Sequence, residues 1–233
     1  MIYQHRQVIA RGGRLEKRHE HFQKAAMKAL DEHGSKLVGA WETWLGVDAG
    51  CAVWQLREHE SLASWEQHRI RAMADTALRE RQDENLYQAL DFVETAILCL
   101  TDFSPKMPGV WPEIEAMRGQ PRGFIEQRML SFKPGAVGVH HALYAEKVMP
   151  ALEREGAELI GFFDTVIGPG TTNTGSHRSV EIRRFPDMGT WQGWREAQER
   201  ESDLTQLIKG EWLATVERVE STLLRPMDYS RIR

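Results

Sequence analysis

The residues of this chain best suited to chemistry come in pairs two positions apart: Gln4 with Arg6, Gln55 with Arg57, Glu126 with Arg128, and Glu181 with Arg183. Side chains of an extended strand alternate between its two faces, so the members of each pair point the same way. Their neighbours Tyr3, His5, Trp54, Leu56, Val180 and Ile182 point the other way. Guanidinium groups at Arg6, Arg57, Arg128 and Arg183 suit the binding of a small carboxylate, enolate or carbonyl compound, with Gln4 and Gln55 as further substrate contacts. Glu126 and Glu181 are the candidate catalytic proton acceptors, because a carboxylate short of partners in an apolar site has a raised pKa. The structural alternative is that these carboxylates and guanidiniums pair with each other across a sheet. If the apolar set packs under helices, the polar set turns away from them.

Other chemistry-bearing residues point less far. His19 and His21 diverge on a helix, His140 and His141 are adjacent, and neither pair has the i,i+4 spacing of a metal site. No metal is expected. His19 and His141 fall on apolar helix faces and read as packed histidines with a hydrogen bond. Trp41, Trp44, Trp54, Phe162 and Phe163 could wall an apolar ligand but are expected chiefly as core, and Trp65 and Trp191 as core anchors. The segment Gly168–His177 lacks the GxxxxGK[ST] pattern and leads into no helix, so a mobile hairpin turn is favoured over an anion cradle. No GxSxG motif is present.

The elements that must position these residues emerge when the sequence is slid along itself. At a shift of 122, residues 1–46 fall on 123–168 with eleven identities, among them Arg6/Arg128, His19/His141, Gly34/Gly156 and Gly39/Gly161. Average usage predicts roughly three. Beyond a loop four residues longer in the second half, the shift becomes 126 and pairs Arg57/Arg183, Trp65/Trp191, Asp102/Asp228 and Ser104/Ser230.

Each copy reads in the same order. Ile2–Ala10 and Phe124–Phe132 are strands closed by glycine-containing turns, followed by helices of 3.6-residue periodicity that stop at Gly34 and Gly156. The strand pairs Leu37–Leu45 with Ala52–Arg57 and Leu159–Ile167 with Ser179–Phe185 come next. Helices over Ser61–Asp75 and Asp187–Glu201 start at capping residues, and further helices are expected over Thr76–Gln88 and Leu204–Thr215. Phe92–Leu100 and Val219–Arg225 close the copies. This β-α-β-β-α-β order is a ferredoxin-like module, repeated over 1–104 and 122–233. The intervening 105–121, rich in proline and glycine, is the expected linker, strapped along one module by Trp111, Ile114 and Met117.

Composition sets the remaining bounds. Lysine and arginine number 30 against 34 acidic residues, a net charge of -4. That offers no field for nucleic acid or an anionic bilayer. No apolar run reaches membrane-spanning length. Cys51 and Cys99 form no CxxC pair and read as small buried hydrophobes of a reducing compartment, and with no signal peptide the protein is expected to be cytoplasmic.

The run Phe124–Gly135 resembles the opening strand and Lys-Pro-Gly turn of NIPSNAP proteins. Leu159-Ile160-Gly161-Phe162-Phe163 resembles their second strand, and Leu223-Leu224-Arg225-Pro226 with Ser230 their ending. The first copy departs more: Gln4 stands where the family places Glu, His5 replaces an apolar residue, and Cys99-Leu100 replaces Arg-Pro. The family's frequent third-strand Trp is Arg57 and Arg183 here. The resemblance implies the dimeric α+β barrel superfamily, with the two modules forming an intramolecular, pseudo-dimeric barrel and a homodimer of the whole chain left open. It also implies a cofactor-independent isomerase or monooxygenase acting on a small organic substrate. A non-catalytic ligand-binding or scaffold protein is the alternative. A haem enzyme is a third reading, since haem proteins related to chlorite dismutase use the same barrel, although no CxxCH motif is present.

Overall fold

Strand formation follows the alternation closely. In the computed structural model β1 spans Ile2–Ala10, β2 Lys36–Leu45, β3 Ala52–His59 and β4 Leu90–Leu100. Their repeat equivalents are β5 (Phe124–Phe132), β6 (Glu158–Ile167), β9 (Arg178–Phe185) and β10 (Val216–Pro226). The structure describes residues 1–11, 13–81, 90–108, 111–113, 116, 119, 122–169, 171–172, 175–176, 178–200 and 205–233. Within the first module the antiparallel order is β4-β1-β3-β2, and within the second it is β10-β5-β9-β6. The eight long strands follow the order of a closed antiparallel barrel, and the fold class is the expected α+β barrel of two repeated ferredoxin-like modules.

Helix α1 runs through Leu15–His21, a π turn at Phe22–Ala26, and Met27–Glu32. Its equivalent α4 runs through Val137–Leu143, a π turn at Tyr144–Val148, and Met149–Arg154. The two π turns fall at the same repeat position, which 3.6-residue periodicity does not foresee; such insertions gather at functional sites. Gly34 and Gly156 end these helices at φ +88° and +76°, a conformation that suits glycine. Helix α2 (Leu62–Ala74) opens on a Ser61/Ser64 capping box and is followed by α3 (Thr76–Arg81). In the second module come α5 (Met188–Arg200) and α6, the π-helical Leu207–Trp212 with Leu213–Thr215. The rest of the helix expected to Gln88, and Leu204, lie outside the described residues. Within Gly168–His177, β7 (Thr171–Thr172) pairs with β8 (Gly175–Ser176); Gly170, Asn173, Thr174 and His177 lie outside the described residues.

Contacts divide the chain into two compact units, Met1–Leu98 with Val110–Gln120 and Arg225–Arg233, and Cys99–Gly109 with Pro121–Leu224. Each module thus incorporates the segment that follows the other copy's last strand. In the first, Met227 N donates to Ala40 O, Ala40 N donates to the Ser230 hydroxyl, and Tyr229 packs on Phe22 with ring centroids 5.5 Å apart. In the second, Thr101 N donates to Phe162 O, Phe162 N to the Ser104 hydroxyl, and Phe103 packs on Tyr144 at 5.7 Å. These are the same interactions at repeat-equivalent residues. Trp111 of the linker is buried in the first module and its indole donates to Glu58 at 3.3 Å, while Ile114 and Met117 lie outside the described residues.

Two core expectations need adjustment. Trp65 and Trp191 are only partly buried; one turn on, His68 and Trp194 point into the core instead. Cys51 and Cys99 are free thiols of intermediate exposure rather than buried ones, because each sits near a strand end. Among the described residues, no helix is long and apolar enough to cross a membrane.

Candidate functional site

Antiparallel register turns the four pairs into two squares. Gln4 lies opposite Arg57 and Arg6 opposite Gln55 on β1 and β3; Glu126 lies opposite Arg183 and Arg128 opposite Glu181 on β5 and β9. Directly opposed residues share a face and sit within side-chain contact. The grouping read from the alternation is therefore present in both modules, but the face is the reverse of the one expected. Arg57 lies over the Phe22 ring of α1 at 5.5 Å, Arg183 over Trp194 of α5 at 5.4 Å, and Arg128 over Trp212 of α6 at 4.8 Å. The polar squares lie under the helices. Trp54, Leu56, Val180 and Ile182, assigned to that side, occupy the opposite face, where His5 stacks on Trp54 with centroids 5.1 Å apart. Both faces of β3 and β9 are buried, so alternation alone carried no information about which one meets helices.

In the second module the square closes on itself. Glu181 accepts hydrogen bonds from Arg183 Nε, from the Tyr144 hydroxyl and, at 3.3 Å, from Arg128 Nη1. Glu126 accepts from Arg183 Nη1 at 3.3 Å and from the Ser221 hydroxyl at 2.9 Å. Burial opposes ionisation of Glu126, yet the Arg183 and Arg128 guanidiniums outweigh it and hold the carboxyl below the usual carboxylate range, the reverse of the raised pKa expected of a proton acceptor short of partners. Burial works against the charge of Arg183 too, and Glu181, Tyr144 and Glu126 overcome it, raising that pKa. Burial, and then the carboxylate of Glu181, push Tyr144 well above an ordinary phenol, so it remains a hydrogen-bond donor. The Arg128 side chain is the open member at 16% exposure, against at most 2% for Glu126, Glu181 and Arg183.

The first module holds the same square without its acids. Arg57 donates to the Ser35 hydroxyl at 3.3 Å and to Gln55 Oε1 at 3.4 Å, both neutral acceptors. Burial, followed by repulsion from Arg6 and Arg18 and only partly offset by Asp31, brings its pKa down to about 9. Burial lowers Arg6 as well, and burial with Arg6 nearby lowers Arg18 to about 10. Phe22 stands where the second module has Tyr144, and Arg18 where it has His140.

Sequence reasoning missed Arg18, Tyr144, Trp194 and Trp212. The available signal was the helix stripe itself: Arg18 stands four before Phe22 and His140 four before Tyr144, which places each on the inward face. Arg18 and His140 are buried, whereas His19 and His141, singled out one position later, are half-buried. His19 Nδ1 hydrogen-bonds with the Tyr229 hydroxyl at 2.7 Å, whereas His141 Nε2 lies 3.2 Å from Asp164 without a hydrogen bond to it. Among the described residues no three of histidine, cysteine, aspartate and glutamate are grouped to hold a metal ion.

A family model described as NIPSNAP matches residues 3–105 and 125–231, one match per module. No curated protein matches the chain. Among solved structures, a protein from Lactobacillus acidophilus provisionally named a monooxygenase is 9% identical with a TM-score of 0.59, covering 97% of this chain and 93% of its own. An anthrone oxidase-like protein is 10% identical with the same TM-score, covering 97% and 91%. A NIPSNAP family protein from Agrobacterium tumefaciens is 22% identical over 46% of this chain and 98% of its own, with a TM-score of 0.42. At these identities the whole-chain likenesses concern the fold.

Proposed function

As the chain belongs to the NIPSNAP family, we propose that it is a small-molecule-binding protein and a cofactor-independent enzyme, of isomerase or monooxygenase type, acting on a small organic substrate. The observation that supports this reading is the burial of repeat-equivalent polar squares under the helices of both modules. Packing alone is better served there by apolar side chains, since buried ion pairs are often less stabilising than hydrophobic replacements. Buried ionisable groups gathered in one place are a feature of reacting sites, although the downward shift of Glu126 is not the one a base near neutrality needs. The likeness to monooxygenase-named and anthrone oxidase-like proteins agrees with it at the level of fold.

In this reading a carbon acid presents its carbonyl to Arg128, the open guanidinium. Glu126 or Glu181 takes the proton as the enolate forms, and the charge that develops on oxygen is held by Arg128 and Arg183. Isomerisation returns the proton to another carbon of the substrate; in oxygenation, molecular oxygen adds to the enolate carbon, the peroxide takes up the proton, and loss of water with the remaining C–H hydrogen leaves one oxygen atom in the substrate as a carbonyl. Gln4, Arg6, Gln55 and Arg57 are the corresponding substrate contacts of the first module. A second reading, a non-catalytic binding or scaffold protein, is favoured by one observation: both carboxylates of the second module are taken up by cations and hydroxyls.

Oxygen uptake and solvent deuterium exchange, measured on a panel of anthrones, phenols and β-keto acids, separate the two. The enzyme reading expects turnover that falls by about two orders of magnitude in Arg128→Ala, the scale on which loss of a charge-stabilising donor acts. Unchanged turnover in the Arg128→Ala, Glu126→Gln double variant would remove the site assignment, and its unaltered circular dichroism would show that the fold was kept.

A further inference from the structure

The first module buries guanidinium groups whose charge, among the described residues, is only partly offset by Asp31 and the Tyr229 hydroxyl. Arg57 and Arg18 are 1% and 7% exposed, and Arg57 Nε, Arg18 Nη1 and Arg6 Nε are buried without a hydrogen-bond partner, as is Gln55 Nε2. The three cations lie close enough to depress one another. Asp31, the acid that acts on Arg57, accepts from Leu37 N at 3.3 Å and lies 4.0 Å from Arg231, so it is already engaged. The imidazoles around the cluster bring no counter-charge: burial and the neighbouring arginines hold His19, His59 and His68 at pKa values of about 4, and they are neutral at physiological pH. A buried charge with open N–H groups is costly, and ordinary folds supply a partner. The second module does so with Glu126 and Glu181, at the positions held here by Gln4 and Gln55.

The missing partner has a definable chemistry. Unused N–H groups on more than one guanidinium suit a carboxylate, whose two oxygens take parallel N–H donors. Beside the cations, Phe22 of the π turn and Tyr229 form part of an apolar cluster with Leu37 and Ala40. We propose that the first module binds a small carboxylic acid with an aromatic body, its carboxylate taking the open N–H groups of Arg6, Arg18 and Arg57 and its ring lying against Phe22 and Tyr229. This site deepens the function proposed above, on which it rests, by naming the ligand of the first-module contacts Arg6 and Arg57, and it shares no residue with the reacting groups Glu126, Arg128, Glu181 and Arg183.

The test uses the whole chain with benzoate as probe and benzamide, its uncharged twin, as control, read by thermal unfolding at fixed ionic strength. Benzoate at a hundredfold excess over its Kd is expected to raise the Tm by roughly 5 °C, with benzamide giving no shift. In Arg57→Met the benzoate shift is expected to vanish while the ligand-free protein stays folded, because a buried unpaired charge has been removed. Arg18→Gln supplies the same test should Arg57→Met fail to fold. The proposal is overturned if benzoate gives no shift, if benzamide matches it, or if the shift survives both substitutions. Turnover lost in Arg128→Ala with benzoate binding intact would separate the two sites, and benzoate failing while Arg128 matters would retain only the first.

Discussion

The two modules share a strand order, a π turn at the same helical position and the same borrowed segment, yet they treat buried charge in opposite ways. In the second, two guanidiniums face two carboxylates across β5 and β9. In the first, two guanidiniums face two glutamines across β1 and β3, and a third guanidinium, Arg18, joins from the helix above. The difference teaches that fold and internal electrostatics are separable. Two Glu-to-Gln differences between copies leave the backbone pairing unchanged and turn a self-neutralised network into a cationic one. Because removing one partner of a buried pair ordinarily costs several kcal/mol, the first module carries a strain the second does not.

The comparison breaks most easily at Glu181. Replacing it by alanine leaves Arg183 and Arg128 buried without their shared acceptor and takes from Tyr144 the carboxylate that accepts its hydroxyl. The expected loss is about 3–5 kcal/mol, read as a shift of the urea midpoint. A loss under about 1 kcal/mol would mean that the second module is no better neutralised than the first.

Acid should next separate the modules. Burial, aided by nearby arginines, depresses His19, His59 and His68 of the first module to about 4, and burial with His141 and Arg128 depresses His140 of the second to about 3. Unfolded, each titrates near 6.5, so between that value and the folded pKa the unfolded state binds more protons. The stability these neutral imidazoles contribute is therefore complete above about pH 6.5 and is lost as pH falls towards 4. From pH 7 to 5.5 the loss is on the order of 1 kcal/mol per histidine, weighted three to one against the first module. Hydrogen exchange, corrected for intrinsic rates, should show β3 losing protection before β9. Equal losses on the two strands would contradict the assignment.

How much of this was legible in the sequence depends on what each signal measures. Alternation placed Glu126 with Arg128 and Glu181 with Arg183 correctly, because strand geometry fixes parity. It could not tell which face meets helices, because Trp54 and Val180 on one side are as buried as Arg57 and Glu181 on the other. The self-comparison revealed the repeat, its order and the glycines at Gly34 and Gly156. It did not reveal that Tyr229 and Phe103 each pack in the opposite module, since pairing within a linear repeat is silent about exchange. Tyr144 lies on the apolar stripe of its helix, where periodicity reads a tyrosine as core and is silent about a hydroxyl that donates to Glu181 on the sheet. Arg18 escaped because a cation in an apolar stripe reads as an interruption, whereas here it completes the cluster.

The subtlest expected effect runs in the opposite direction and sharpens the comparison furthest. Gln55→Glu gives the first module the carboxylate that Glu181 supplies to the second, opposite Arg6 and beside Arg57. A new buried carboxylate is expensive to desolvate, but two guanidiniums already desolvated and unneutralised await it, so their attraction outweighs that penalty. Phe22 cannot donate to it as Tyr144 donates to Glu181, which keeps the gain to about 1 kcal/mol. The added acid also occupies the N–H groups that a ligand carboxylate would use. Gln55→Glu should therefore raise the ligand-free Tm by a few degrees and abolish the benzoate shift in the same preparation. A lower Tm with benzoate binding undiminished would show that the arginines of the first module are not short of negative charge, and the contrast between the modules would reduce to composition.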